Sequence, residues 1–495
     1  MIRLFYYTKL FPKLRQFINS CFLLAEKFIC YNYDKTKNPT ISIETIRNYN
    51  NNRTLGPQKR ICNAPFKNMY LNANGNITAC CMNNVDIFGN IKNTNLKKAW
   101  NGEKANSLRN KIDNFDLSGG CSICKHFLEA KDYNAYHGSN YDSFFEKKKY
   151  AFPEEMTFEI SNTCNLECIM CNEKLSSLIR KNRYHLAPLD NNYGAAFFEE
   201  LKEFLPHLKK ARFVGGEPFL INEFYQIFDL LFQHNPDCKI AIQTNGTVLN
   251  EKVKKIVQHK NVELSISIDS LDKELYNTIR KNSSFEKVMS NIDYFKNDAL
   301  KRHKLVNINF CVMTNNWQET PAMIEYCNKN SFLLHFIPVV HPNYLSLKSL
   351  NPAYLKHIHE TLSAERTTKS VAFTQLLDYI KSLEEYSRNQ KIKKELLLQK
   401  NEQQLIEELN NLYSIVSNYY VNNHLFNSEL LIKTIKNALE GHDDEKRRQV
   451  LADIILQTIE TEGEIKLYDN TTEEILAAIR IQVEDLLKKN YNLCY

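Results

Sequence analysis

Three cysteines, Cys164, Cys168 and Cys171, fall on one short segment, SNTCNLECIMCN, with CxxxCxxC spacing. Three thiolates on one loop can wrap one corner of a cubane iron–sulfur cluster and leave the fourth iron without a protein ligand. An open iron is what binding of a substrate or cofactor requires. A second cysteine group stands upstream: Cys62 in CNAPF, Cys80 and Cys81 in GNITACC, Cys121 and Cys124 in CSIC. With no apolar run long enough to span a bilayer and no secretory signal pattern, a reducing cytoplasm is the expectation. There, clustered cysteines read as metal ligands before disulfides. Cys238, Cys311 and Cys327 sit in or beside apolar segments and read as packed small hydrophobes.

The elements that must position these thiols follow from the pattern between Met156 and His341. Extended apolar runs (MTFEIS, ARFVGG, KIAIQTNG, VELSISIDS, VNINFCVMTNN and FLLHFIPVV) alternate with helical stretches such as FFEELKEFLPHL and FEKVMSNIDYF. Such alternation predicts an α/β fold with a parallel sheet and crossover helices, an open sheet or a partial barrel over residues 150–345, with function at the carboxyl ends of the strands. The cysteine loop ends the first run and GGEP, Gly215 to Pro218, ends the second. Gly215 and Gly216 let backbone approach a ligand closely, and Glu217 offers an anion to an ammonium group. Thr244 and Asn245, in IQTNG, end the third run and could hydrogen-bond a ribose. Two-residue periodicity puts Ser267 and Asp269 on one face of the fourth. Strand-end capping or an ion pair is the competing reading for Asn245, Ser267 and Arg280. His341 reads either as a substrate-side acid or base or as a structural histidine.

Length and composition bound the rest. A chain of 495 residues with 43% hydrophobic and 24% charged residues predicts two or three folded units. The net charge of +7 arises from large opposing totals, so no nucleic-acid partner is expected. Residues 1–38 mix aromatic, aliphatic and basic residues as in a basic amphipathic helix, a membrane-surface contact or a helix packed on its own protein. Residues 39–60 read as a linker. In the small cysteine-bearing unit at 61–130, LNANGNITACC predicts two strands about an Asn-Gly turn, and a helix breaks at Gly102. Residues 352–495 read as a helical region with breaks near GHDDEKRR and EGEIKLYDNTTEE.

The CxxxCxxC loop followed by GGEP resembles the radical S-adenosylmethionine (SAM) superfamily over roughly residues 155 to 341 in motif order and strand placement. The resemblance implies a partial (β/α)6 TIM-like barrel in which Cys164, Cys168 and Cys171 hold a [4Fe-4S] cluster and SAM chelates the open iron. One-electron reduction by an external donor such as flavodoxin or ferredoxin then gives a 5′-deoxyadenosyl radical that abstracts a substrate hydrogen. By the same resemblance, Glu217 with its neighbours Gly215, Gly216 and Pro218 lies near the methionine amine, and Met170 beside the adenine. Ser267 lies near the ribose or carboxylate, Arg280 meets the carboxylate, and Thr244, Asn245, Asp269 and Asn315 (or its neighbour Asn316) line the strand ends.

The upstream group resembles the twitch form of the SPASM auxiliary iron–sulfur domain, down to FGN, Trp100 in KKAWNG and the following SLRNK. It implies Cys62, Cys80, Cys121 and Cys124 as ligands of a second [4Fe-4S] cluster, with Cys81 competing with Cys80. Such domains usually follow the core, whereas this one precedes it. Four thiolates in separated pairs also suit zinc. The implied activities are oxidation, epimerisation or crosslinking of a peptide or protein side chain, or dehydrogenation of a small hydroxylated, sugar-like molecule. A non-catalytic iron–sulfur scaffold is the competing class.

Overall fold

The computed structural model describes residues 33, 39–53, 55–133, 135–142, 151–365, 370–419, 428–460 and 472–487. Apart from Tyr33, the basic segment read at 1–38 lies outside the described residues. Two compact units divide the chain: Met1–Ile160 with Asn191–Arg212 and Asp229–Cys238, and Ser161–Asp190 with Phe213–Phe228 and Lys239–Tyr495.

In the first unit the Asn-Gly turn forms as expected. Gly75 takes φ +82°, where a side chain is disfavoured, and joins β1 (Asn68–Asn72) to β2 (Asn76–Thr78) with Tyr70 opposite Thr78. A short β3 (Gly89–Asn90) pairs with β2. The helix break at Gly102 is also present, separating helices Leu96–Asn101 and Glu103–Asp113. The cysteine-bearing segment does not fold as an island. β1 pairs in parallel with β4 (Glu155–Glu159), the first strand of the alternation, from Asn68 opposite Glu155 to Asn72 opposite Glu159. Met69, Leu71, Ile77, Met156 and Phe158 are fully buried in the core this creates. The Leu96 N–H donates to the Glu200 carboxylate at 2.8 Å, and Asn192 donates its amide to the Ala73 carbonyl at 2.8 Å.

A short β5 (Lys210–Phe213) follows β4 in the chain. The second unit carries β6 (Lys239–Thr244), β7 (Val262–Ser267), β8 (Asn307–Val312) and β9 (Leu333–Pro338), each parallel to the next. Crossover helices start on side-chain caps: Asn250, Asp272 and Ser284 accept from the N–H groups of Val253, Leu275 and Lys287. Ile240, Ile242, Val262, Leu264, Ile266, Ile308 and Phe310 are buried, as continuous apolar runs require of strands covered by helices. The fold is thus mixed α/β with parallel strands, and the sheet is open rather than a closed barrel.

Beyond Pro352 the chain is helical, as read from its periodicity: Pro352–Ala364, Val371–Leu398, Glu402–Tyr419, Ser428–Leu439, Asp444–Glu460 and Thr472–Leu487. The last four, with the end of the second, share an apolar core of Leu397, Leu405, Leu409, Ile435, Val450, Ile454, Val483 and their neighbours. Lys394 and Asp453 form a buried ion pair at 2.6 Å inside this region. The break read at GHDDEKRR falls at Gly441, with φ +85° after the Ser428–Leu439 helix, while most of EGEIKLYDNTTEE lies outside the described residues. Among the described residues no helix is long and apolar enough to cross a membrane.

Candidate functional site

β4 delivers the chain into the loop that bears Cys164, Cys168 and Cys171, and the loop is tied down at both flanks. On one side the Gly216 N–H donates to the Ser161 carbonyl at 3.2 Å and the Glu217 N–H to the Thr163 carbonyl at 2.7 Å. A Cβ on Gly216 would lie 2.1 Å from the Thr163 oxygen, so the close approach read from the sequence is real and admits glycine alone. On the other side the Glu167 N–H reaches the Lys281 carbonyl at 3.1 Å and the Ile169 N–H the Ile279 carbonyl at 2.9 Å. Within the loop, Ser176 donates to the Leu166 carbonyl at 2.7 Å, and Ser177 Oγ accepts from the Cys164 N–H at 3.2 Å.

Burial raises the Cys164 thiol to about 11, with Cys168 adding to it, and burial with Cys168 and Cys164 pushes Cys171 well up. Cys168 is raised by burial, with the Arg280 charge opposing. A thiolate trio is therefore disfavoured by its own surroundings, and a cationic iron–sulfur core is the partner that would compensate it. The donor set fits such a group: three sulfurs on a pinned loop, with Asn245 Nδ2 3.9 Å from Cys164 Sγ and Arg280 Nη1 4.0 Å from Cys168 Sγ.

Glu217 is fully buried, and its carboxylate ties two strand ends together. One oxygen accepts from Thr244 Oγ1 at 2.7 Å and the Phe219 N–H at 3.1 Å, the other from the Asn245 N–H at 2.7 Å. Burial lifts its carboxyl to about 7 despite these bonds. Asp269, equally buried, meets Arg280 at 2.7 Å and accepts from the Cys311 N–H at 2.8 Å. Burial works against the Arg280 charge, but Asp269 and Cys168 outweigh it and hold the guanidinium ionised. Met170 packs against an apolar cluster of Ile279, Met313, Val339 and Leu345. Ser267 is half-buried at the end of β7. Of the two asparagines closing the fifth run, Asn315 is exposed, whereas Asn316 is buried and donates to the Asp269 and Cys311 carbonyls at 2.8 and 2.9 Å. His341 is exposed. The sequence thus gathers Cys164, Cys168, Cys171, Glu217, Thr244, Asn245, Asp269 and Arg280 into one network.

In the first unit a second set of thiols converges from three stretches of chain. After burial itself, Cys121 feels Cys62, Cys80 and Cys124 as neighbours, and Cys124 feels Cys80, Cys62 and Cys81. Burial first, then Cys80 for Cys62 and Cys81 for Cys80, raises these two thiols to about 12 each, and burial with neighbouring thiols pushes Cys121 and Cys124 well up. Cys81 Sγ lies 3.3 Å from His137 Nε2, and Cys80 and Cys124 also feel Cys81 as a neighbour. Sequence reading missed His137, which is held neutral by burial and by Arg212, its pKa lowered to about 4. No spacing links it to the cysteines. Four buried thiols whose ionisation is disfavoured fit a cationic metal group as the core trio does, and among the described residues no group of three such side chains closes on a single-ion site. All described cysteines are free thiols.

Residues 158–327 match the radical SAM superfamily, and residues 62–125 match the SPASM iron–sulfur cluster-binding domain. The chain thus carries a radical SAM domain with a SPASM domain N-terminal to it. The first domain implies a [4Fe-4S] cluster and SAM, the second auxiliary iron–sulfur chemistry. Curated relatives include the GTP 3′,8-cyclase of Aliarcobacter butzleri, 26% identical over 203 residues that make 40% of this chain and 57% of that one. The GTP 3′,8-cyclase of Sulfurimonas denitrificans is 25% identical over 39% of this chain and 57% of its own length. The chain thus spans under two thirds of the curated relatives it matches. Among solved structures, anSMEcpe with bound AdoMet matches 42% of this chain and 58% of its own at 23% identity, with a TM-score of 0.33. Streptococcus suis SuiB bound to the precursor peptide SuiA matches 54% and 61% at 15% identity and a TM-score of 0.33.

Proposed function

We propose that this protein is a radical SAM enzyme in which Cys164, Cys168 and Cys171 hold the cluster that cleaves SAM, and that its substrate is a peptide or protein side chain. The observation that carries the first part is the three-thiol loop pinned on one side by Gly216 and Glu217 and on the other by Ile279 and Lys281. Held by Cys164, Cys168 and Cys171, a reduced cluster with SAM would supply radical hydrogen-atom abstraction from the substrate.

The residues of this chain orient and insulate that chemistry. Gly216 keeps the second strand's end against the cysteine loop. Glu217 holds the ends of two strands in register and presents a buried carboxylate at which the methionine ammonium would restore full ionisation. Arg280, kept charged by Asp269, sets a positive group beside Cys168. The apolar cluster around Met170 excludes water from the adenine side. Cys62, Cys80, Cys121 and Cys124 hold the auxiliary cluster.

The peptide reading rests on the pairing of SPASM and radical SAM domains, and the electron donor is taken to be a flavodoxin or ferredoxin. Anaerobic reconstitution with iron and sulfide counting, followed by reduction with SAM, tests the reading. About eight irons and release of 5′-deoxyadenosine are expected. A loaded protein that never releases 5′-deoxyadenosine would favour a scaffold. Turnover of GTP, the substrate in the name of the curated relatives, would displace the peptide reading.

A further inference from the structure

We propose that Asn83 is a positioning residue for the auxiliary cluster, clamping its ligand sulfur at Cys121 with a side-chain N–H donor and raising the cluster's reduction potential. The proposal rests on the reading that Cys62, Cys80, Cys121 and Cys124 hold that cluster. Asn83 is 1% exposed, and every polar atom of its amide is committed. Oδ1 accepts from the N–H groups of Val85 and Asp86 at 3.1 and 2.9 Å. Nδ2 donates to Asp86 Oδ2 at 2.9 Å and to Cys121 Sγ at 3.5 Å.

This pattern leaves the amide one orientation. Turned over, it would set its NH2 against two backbone N–H groups and its oxygen against a carboxylate and a sulfur, losing all four bonds. Asp86 is itself held by Lys111 at 3.1 Å, so the acceptor side of the clamp is fixed as well. The opposite wall is Gly120, where a Cβ would fall 2.0 Å from Asn83 Oδ1; the backbone next to Cys121 approaches as closely as it does because that position has no side chain.

The four sulfurs are not served alike. Among the described residues, Cys62 accepts from the Ala64 N–H at 3.4 Å and Cys121 from Asn83 Nδ2 at 3.5 Å. Of these two bonds the one to Cys121 comes from a side chain, and its donor stands three residues after Cys80. Asn83 therefore couples the ACC segment to the CSIC turn. Hydrogen bonds to ligand sulfurs withdraw charge from them and favour the reduced cluster, so removing this donor should lower the potential.

The test uses the full chain with Cys164, Cys168 and Cys171 replaced by Ala, so that the auxiliary cluster alone gives the signal, and reads its midpoint by redox titration followed by electron paramagnetic resonance. Asn83→Asp keeps an acceptor for Val85 and Asp86 and replaces the donor with an oxygen. It should shift the one-electron reduction equilibrium about tenfold toward the oxidised cluster, a fall of about 59 mV. An unchanged midpoint with a loaded cluster overturns the proposal while leaving the ligand reading intact. Zinc or no metal in the parent protein overturns both, and metal counting shows this before any potential is read. If Asn83→Asp fails to load, the parent protein labelled with side-chain 15N-asparagine decides: a 15N hyperfine coupling to the reduced cluster supports the clamp, and its absence overturns it.

Discussion

The two thiol sites are assembled in opposite ways. The core trio comes from one loop, Cys164 to Cys171, and is held from outside by neighbouring strand and helix ends. The upstream four come from three stretches: Cys62 just before the Ala64–Lys67 helix, Cys80 after the β1–β2 hairpin in the loop that bears Asn83, and Cys121 and Cys124 on a helical turn. A local trio leaves one position of a cluster open for a cofactor, whereas four converging thiols saturate it, so the first site suits chemistry on a bound molecule and the second a closed centre. The same difference sets their vulnerabilities. The core site fails when its ties to the surrounding fold fail, the upstream site when any one stretch is displaced.

The largest expected effect separates the two centres outright. Cys164→Ala should drop the iron count from about eight to about four and end release of 5′-deoxyadenosine, whereas Cys121→Ala should remove only the auxiliary metal. Equal losses in both variants would mean that the sites are not independent. Next come the buried charges. Arg280→Met strands Asp269 beside the core loop and should cost about 3–5 kcal/mol in denaturant unfolding. Replacing both Lys394 and Asp453 in the helical region by apolar residues should cost far less than replacing Lys394 alone, since only the single change leaves a charge unpaired. A smaller effect, about 2–4 kcal/mol, is expected for Gly216→Ala, where Cβ meets the Thr163 carbonyl. It should be accompanied by weaker SAM binding, measured by calorimetry. The smallest separates adjacent thiols: Cys81→Ser should leave metal content unchanged while Cys80→Ser loses the auxiliary metal, and a loss in both would return Cys81 to the ligand set.

What the sequence made legible was local. The hairpin at Gly75, the break at Gly102, the alternation of buried strands with helices and the helical region beyond Pro352 all rest on periodicity or turn chemistry within short windows. The thiols stood out because metal ligands demand specific residue types at short spacing. What it hid was long-range. Nothing in LNANGNITACC announces that β1 lies parallel to β4, because strand pairing across more than eighty residues leaves no local pattern. Glu217 reads as a free carboxylate until the strand ends supply Thr244 and Asn245 as donors. Asn316 rather than its exposed neighbour Asn315 turns inward, a choice settled by the Asp269 and Cys311 carbonyls that it meets. His137 and Asn83 each reach a sulfur through a side-chain contact that no spacing rule encodes.

The most direct measurement is 5′-deoxyadenosine release on reduction with SAM, read against iron content in the wild type and in Cys164→Ala/Cys168→Ala/Cys171→Ala. Release from the wild type with about eight irons, and none from the triple variant with about four, is the expected result. Continued release from the triple variant, or none from a fully loaded wild type, would contradict the assignment of the core loop as the catalytic centre.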